Sequence, residues 1–138
     1  MTVLDVSAAA LTKVRNRVGE RAEAVTFIAA DVRSWQPNRT YDAWHDRAAF
    51  HFLVEQADRD RYVAMATHSV TSGGLVVLAA FAEDGPTECS GLPTSRYDTD
   101  ELVCVFGPAF SLEHAEREEH TTPFGTIQPF SWVVLRHL

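Results

Sequence analysis

The chain is poor in cysteine, in basic residues and in long apolar runs, and each shortage excludes something. Only two cysteines occur in 138 residues, Cys89 and Cys104, too few and too far apart for a CxxC metal or redox motif. Both therefore read as reduced thiols, as in a cytoplasmic protein. Lysine and arginine total 12 against 19 aspartates and glutamates, a net charge of −7. A surface of that sign repels phosphate backbones, so nucleic acid is not an expected partner. No apolar stretch approaches the roughly 20 residues of a membrane span, and no membrane association is expected. Met1 is followed by Thr-Val-Leu-Asp-Val-Ser, which has neither the basic nor the apolar region of a secretory signal. What remains is 46% hydrophobic and 22% charged, the composition of one globular domain over residues 1–138 with enough chain to bury a core.

Along the chain, strand and helix signals alternate. Val3 to Val6 reads as a buried strand, and Ser7 is placed to cap a helix over residues 8–18 that carries Leu11, Val14 and Val18 on one stripe. Gly19 closes that helix. Val25 to Ala30 is a second strand, stopped by Asp31, and Tyr41 to Arg47 a third that runs into an apolar stretch at residues 48–54. Asp58 is expected to cap a helix with the stripe Tyr62, Met65, Ala66 and Ser69, broken by Ser72-Gly73-Gly74. Leu75 to Phe81 never alternates to polar, as in a central strand buried on both faces. Residues 83–97 read as loop. Asp98 and Glu101 form a capping box for a helix that ends at Gly107. Phe110 to Glu118 and Gln128 to His137 then form an antiparallel hairpin around Thr122-Pro123-Phe124-Gly125. The fold class that follows is α/β: a Rossmann-like, mostly parallel sheet with helices on its faces and an antiparallel hairpin at the C-terminus.

In open α/β sheets, ligands sit at the carboxyl ends of the strands. The first two strands finish in acids there, Asp5 and Asp31. Aspartate also caps helices and starts turns, but Ser7 already fills the cap position after the first strand. An acid at such a strand end accepts the hydroxyls of a ribose. Asp31 would then accept from an adenine amino group, with the Val32 amide on a ring nitrogen.

On these residues the sequence resembles the class I S-adenosylmethionine-dependent methyltransferases, over its whole length. Thr2-Val3-Leu4-Asp5-Val6-Ser7 is similar to the family's second motif, where the acid holds the ribose, and Ala30-Asp31-Val32 to its adenine-contacting motif. Tyr41-Asp42-Ala43-Trp44-His45-Asp46-Arg47 is similar to the fourth-strand motif, in the Trp-Asp-Arg form of thiopurine methyltransferases. Ser72-Gly73-Gly74-Leu75 matches the turn before the fifth strand, and the closing hairpin matches the family's antiparallel seventh strand. The resemblance implies S-adenosylmethionine as cofactor, held by Asp5, Val6, Asp31, Val32, Asp46 and Arg47, with Asp46 on the amino group and Arg47 on the carboxylate of its methionine part. It also implies a small-molecule methyl acceptor. The glycine-rich first motif, carried on the family's first strand, is absent here, and with it the strand and its helix. A central strand of about 5 residues contributes burial on the order of 10 kcal/mol, comparable to the net stability of a domain. A truncated domain, a homodimer, or completion of the missing strand in trans are the expectations that follow.

The remaining polar residues carry two readings each. His45 and His51 are candidate catalytic bases, since imidazole titrates near neutrality, although a histidine held in an apolar wall is the favoured reading of each. Their spacing does not put both rings on one helical face, so no metal is expected. Asp46 and Arg47 either meet a ligand or merely pair and fix their loop. The loop containing Cys89 borders the expected acceptor pocket. Phe130 and Trp132 share a strand face and read as core, whereas Glu118-Glu119-His120 reads as a solvated edge. Function then divides between a methyltransferase acting on a small molecule and a non-catalytic remnant of that fold serving as a binding module. A nicotinamide-binding domain would also use Asp5, but the terminal hairpin suits it less well.

Overall fold

The computed structural model describes all 138 residues, which fall into two compact units, Met1–Gln36 and Pro37–Leu138.

The first unit is a strand–helix–strand element. β1 (Thr2–Asp5) leads into α1 (Ala8–Val18), a 3-10 segment follows over Gly19–Ala24, and β2 (Thr26–Ala29) lies parallel to β1. The Ser7 hydroxyl accepts from the Ala10 N–H at 3.1 Å, which fixes where α1 begins. Gly19, at φ 62°, closes it in the left-handed region that a side chain disfavours. The expected stripe is only partly buried: Leu11 is inside, but Val14 is exposed. A 36-residue βαβ element has too little mass to bury a full helix face by itself. Arg15 instead lays its guanidinium 4.5 Å from the centre of the Phe27 ring.

The second unit holds the core. Its elements are β3 (Tyr41–Arg47), a 3-10 turn (Phe50–Phe52), α2 (Gln56–Ser69), β4 (Val70–Phe81), a short hairpin of β5 (Glu88–Cys89) and β6 (Leu92–Pro93), α3 (Thr99–Phe106), β7 (Phe110–Thr121) and β8 (Ile127–His137). The main sheet has the order β3-β4-β8-β7. β3 and β4 are parallel, while β8 is antiparallel to both of its neighbours. This sheet is mixed rather than mostly parallel, because the returning arm of the hairpin slots in beside β4. The sequence dictates which arm does so. β8 brings Phe130, Val133 and Leu135 to the interior, whereas β7, with Glu113, Glu116, Arg117 and Glu119, can only stand at a wet edge.

β4 lies between β3 and β8, and Val76, Leu78, Ala79 and Ala80 are fully buried, as the unbroken apolar run requires. Against one face pack Phe50, Tyr62, Leu102 and Phe106, with ring centroids 4.9 Å apart for Phe50–Tyr62 and 6.1 Å for Phe50–Phe106. The capping box of α3 forms in both directions: Glu101 N–H to Asp98 Oδ1 at 2.7 Å and Asp98 N–H to Glu101 Oε2 at 2.9 Å. Two details differ from expectation. Glu55, not Asp58, occupies the N-cap of α2; Asp58 lies inside its first turn and pairs with Arg61 at 3.2 Å. The segment read as loop contains the β5–β6 hairpin, turned by Ser90 (φ 53°) and Gly91 (φ 77°), the doubly left-handed geometry that suits a two-residue turn. No helix is long and apolar enough to cross a membrane.

Candidate functional site

In the first unit the parallel register pairs Asp5 with Ala29, so β1 and β2 end on the same rim. Asp5 stands at that end, and Asp31 follows two residues beyond β2. Their states differ. Asp5 Oδ1 accepts the Ser7 N–H at 2.7 Å, which shapes the turn into α1, and Oδ2 has no partner in the chain. Both oxygens of Asp31 are taken by its neighbour Arg33, through Nε at 3.0 Å to each, and Oδ1 also accepts the Arg33 N–H at 2.9 Å. The Arg33 side chain hydrogen bonds hold the Asp31 carboxyl below the usual carboxylate range. Val6 projects its side chain into solvent, and the Val32 N–H is not used by any protein acceptor.

In the second unit β3 sends alternate side chains to opposite faces. Trp44 and Asp46 point to the helix-covered face. There the Tyr62 hydroxyl donates to Asp46 Oδ2 at 2.6 Å and accepts from Trp44 Nε1–H at 2.8 Å. Asp46 Oδ1 accepts the Ala49 N–H at 3.0 Å and the Phe50 N–H at 3.4 Å. Burial pushes the Asp46 carboxyl up, against the pull of these donors, and it pushes the Tyr62 hydroxyl well up. Asp46 thus anchors the 3-10 turn after β3. The expectation that it meets a cofactor amino group is not met by this geometry, because its oxygens face inward onto protein donors.

His51 is likewise drawn into the core, with no exposed surface. Its ring stacks on Phe81 at 4.2 Å between centroids, and Nδ1 accepts the Phe81 N–H at 3.4 Å. That assignment leaves the proton on Nε2, which has no partner. Desolvation lowers the imidazole to about 4. A general base must reach its acceptor, and His51 does not. His45 sits on the opposite face of β3, exposed, its ring 6.2 Å from that of Trp132.

Arg47 shares that face with His45. Its guanidinium lies 5.1 Å from the Phe130 ring centre and 5.8 Å from that of Trp132, and Nη2 is 3.4 Å from Glu118 Oε1. Glu118 in turn accepts the Trp132 indole N–H at 2.7 Å and has His120 Nδ1 at 3.7 Å. Glu118 and His120 are therefore half-buried members of a cluster, not a solvated edge. A cleft of about 220 Å³ opens here, lined by Arg47, Ala48, His120, Gln128 and Phe130. Sequence reasoning missed Glu118, His120 and Gln128; the alternation Gln128, Phe130, Trp132 was the available signal, since it puts all three on one face. Cys89 packs against the cluster of Ala79, Phe81 and Phe130, and Cys104 is exposed on α3.

No protein-family profile and no curated protein matches this chain. Solved structures do. The N-methyltransferase NodS from Bradyrhizobium japonicum WM9 aligns with a TM-score of 0.78 at 12% identity, over 99% of this chain and 72% of that one. The same protein in complex with S-adenosyl-L-homocysteine gives 0.70 at 13% identity, over 99% and 65%. The Burkholderia thailandensis 1,6-didemethyltoxoflavin-N1-methyltransferase, with bound 1,6-didemethyltoxoflavin and S-adenosylhomocysteine, gives 0.74 at 19% identity, over 99% and 60%. The chain has an α/β fold of the S-adenosylmethionine-dependent methyltransferase type. It spans between 60% and 72% of the length of these structures.

Proposed function

We propose that the chain is part of an S-adenosylmethionine-dependent methyltransferase acting on a small molecule. The observation that carries this reading is Asp5: one carboxylate oxygen holds the turn into α1, and the other stands unpartnered at the carboxyl end of a parallel strand. That is the arrangement in which an acid takes the hydroxyls of a ribose. The free Val32 N–H on the same rim suits a ring nitrogen of adenine better than Asp31 suits the amino group, because Arg33 already spans both Asp31 oxygens.

S-Adenosylmethionine, when bound, supplies a methyl group on a sulfonium that an acceptor's lone pair displaces in line. The chain's own contribution is to hold and align. Asp5 fixes the nucleoside. Asp46, buried with Tyr62 and Trp44, positions the turn that follows β3 and touches no ligand. His45 is the exposed imidazole able to take a proton from an acceptor, a role His51 cannot share from the core.

The other reading, a binding module without catalysis, is favoured by the strand edges. β1 pairs only with β2, and β3 only with β4, so each leaves one row of backbone groups open. Titration of the folded chain with S-adenosylhomocysteine in a calorimeter separates the two. Heat of saturable binding supports the methyltransferase; its absence at millimolar ligand supports the binding module.

A further inference from the structure

We propose that the cleft beside Arg47 is a carboxylate subsite that takes a flat aromatic acid, its anion held by Arg47, His120 and Gln128. The proposal stands on the cleft itself and does not depend on the methyl-transfer reading.

Three hydrogen-bond donors of different origin converge on the cleft: a guanidinium from the end of β3, an imidazole from the end of β7 and an amide from the start of β8. The sheet register brings them together, since His120 lies directly opposite Gln128 and Phe130 opposite Phe81. No carboxylate lines the cleft. Glu118, the nearest acid, is committed: Oε2 to the Trp132 indole at 2.7 Å and Oε1 to Arg47 and His120 at 3.4 and 3.7 Å. Arg47 carries five donors, and this contact uses one of them. The Gln128 amide and His120 Nε2 have no partner in the chain. In a protein of net charge −7, a cleft lined by donors and no acid is the exception, and a small anion is its chemical complement.

The rest of the lining specifies what the anion is attached to. Phe130 gives the cleft a flat apolar wall beside the cation. A planar ring bearing a carboxylate satisfies both, with the ring on Phe130 and the oxygens on the guanidinium fork. The backbone is also held out of its relaxed state at this spot. Ala48 has φ 66°, a left-handed conformation unusual for a residue with a side chain, and its N–H is tied to the Ala79 carbonyl at 3.0 Å.

The test uses the full chain without cofactor and follows the indole N–H signal of Trp132, assigned with a Trp132→Phe variant, during titration with benzoate, benzamide and L-methionine. Benzoate is expected to bind about tenfold more tightly than the other two, a difference in scale with one charge-assisted contact. Gln128→Leu and Arg47→Met are each expected to weaken benzoate at least about fivefold while leaving benzamide unchanged. Gln128 is not part of the core, so that variant stands even if Arg47→Met fails to fold. Equal binding of benzoate and benzamide, or no shift with benzoate, overturns the subsite. L-Methionine binding as tightly as benzoate would assign the donors to an amino-acid carboxylate and overturn the aromatic ligand. Benzoate binding without S-adenosylhomocysteine binding upholds the subsite and fails the methyl-transfer reading; the reverse result does the opposite.

Discussion

Tyr62 donates its hydroxyl to Asp46 across 2.6 Å, tying the middle of α2 to the end of β3 inside the core. Because the same oxygen receives the Trp44 indole N–H, Tyr62→Phe removes two hydrogen bonds at once, one at Asp46 Oδ2 and one at Trp44 Nε1. A lost hydrogen bond at a buried group costs about 1–3 kcal/mol, so the variant is expected to lose about 2–4 kcal/mol of stability. Urea unfolding with an unchanged slope and a lowered midpoint is the readout. A midpoint within error of the parent would mean that water reaches this network.

His51 gives a pH signature. Its folded pKa of about 4 lies below the 6.5 of a free imidazole, so the unfolded chain binds the proton first. The contribution of a neutral His51 is complete above pH 6.5 and is lost as pH falls toward 4, up to about 3 kcal/mol. His51→Phe is expected to flatten this limb. Asp46 works with the opposite sign, because its raised pKa removes stability as pH climbs through it. Asp31, whose pKa is lowered, acts only below the ordinary carboxylate range, outside the His51 window. Stability profiles of parent and variant that run parallel from pH 7 to 4 would place the imidazole in water.

Gly74→Ala tests the irregular stretch of β4, where the pairing with β3 steps from Tyr41–Val70 to Ala43–Leu75. An added Cβ there would meet Val70 Cγ1 at 2.7 Å and the carbonyls of Thr71 and Asp42 at 2.8 and 2.9 Å. Two of these are backbone and cannot rotate away, so a loss of about 1–3 kcal/mol is expected in thermal unfolding. Gly73→Ala meets nothing within 4 Å but carries the strain of φ 79°, and about 1 kcal/mol should be lost. The reverse ranking would show that conformation, not contact, governs this segment.

Asp5→Ala bears on function. It is expected to weaken S-adenosylhomocysteine binding at least about tenfold, or about 1.4 kcal/mol, the scale of a lost charged hydrogen bond. Calorimetry on a folded sample reads this directly, and an unchanged affinity removes Asp5 from the site.

Local signals fixed most of the elements. Ser7, Gly19, and the Asp98–Glu101 pair act within one turn of helix, and each does in the structure what its position in sequence requires. The uninterrupted run from Leu75 to Phe81 demanded neighbours on both sides and has β3 and β8 there. The β5–β6 hairpin carried its own signal in Ser90-Gly91, hidden because its strands have only two residues each. Asp58 misled because an acid in the first turn of a helix resembles a cap from sequence alone.

For the candidate site, the sequence determined which residue types stand at the strand ends: Asp5, Asp31, and the run from Trp44 to His51. Tertiary structure decided which of them face a ligand. Alternation along β3 is legible, but which face the helices cover is not, and that choice sends Asp46 inward to Tyr62 and Arg47 outward to Phe130. His51 depends on Phe81, thirty positions away, for its burial and its lowered pKa. The cleft of Arg47, His120 and Gln128 exists only because β4 joins the C-terminal hairpin to β3, a strand distant from it in sequence. Caps and turns follow from neighbours in the chain, whereas desolvation and convergent donors follow from which distant surfaces meet.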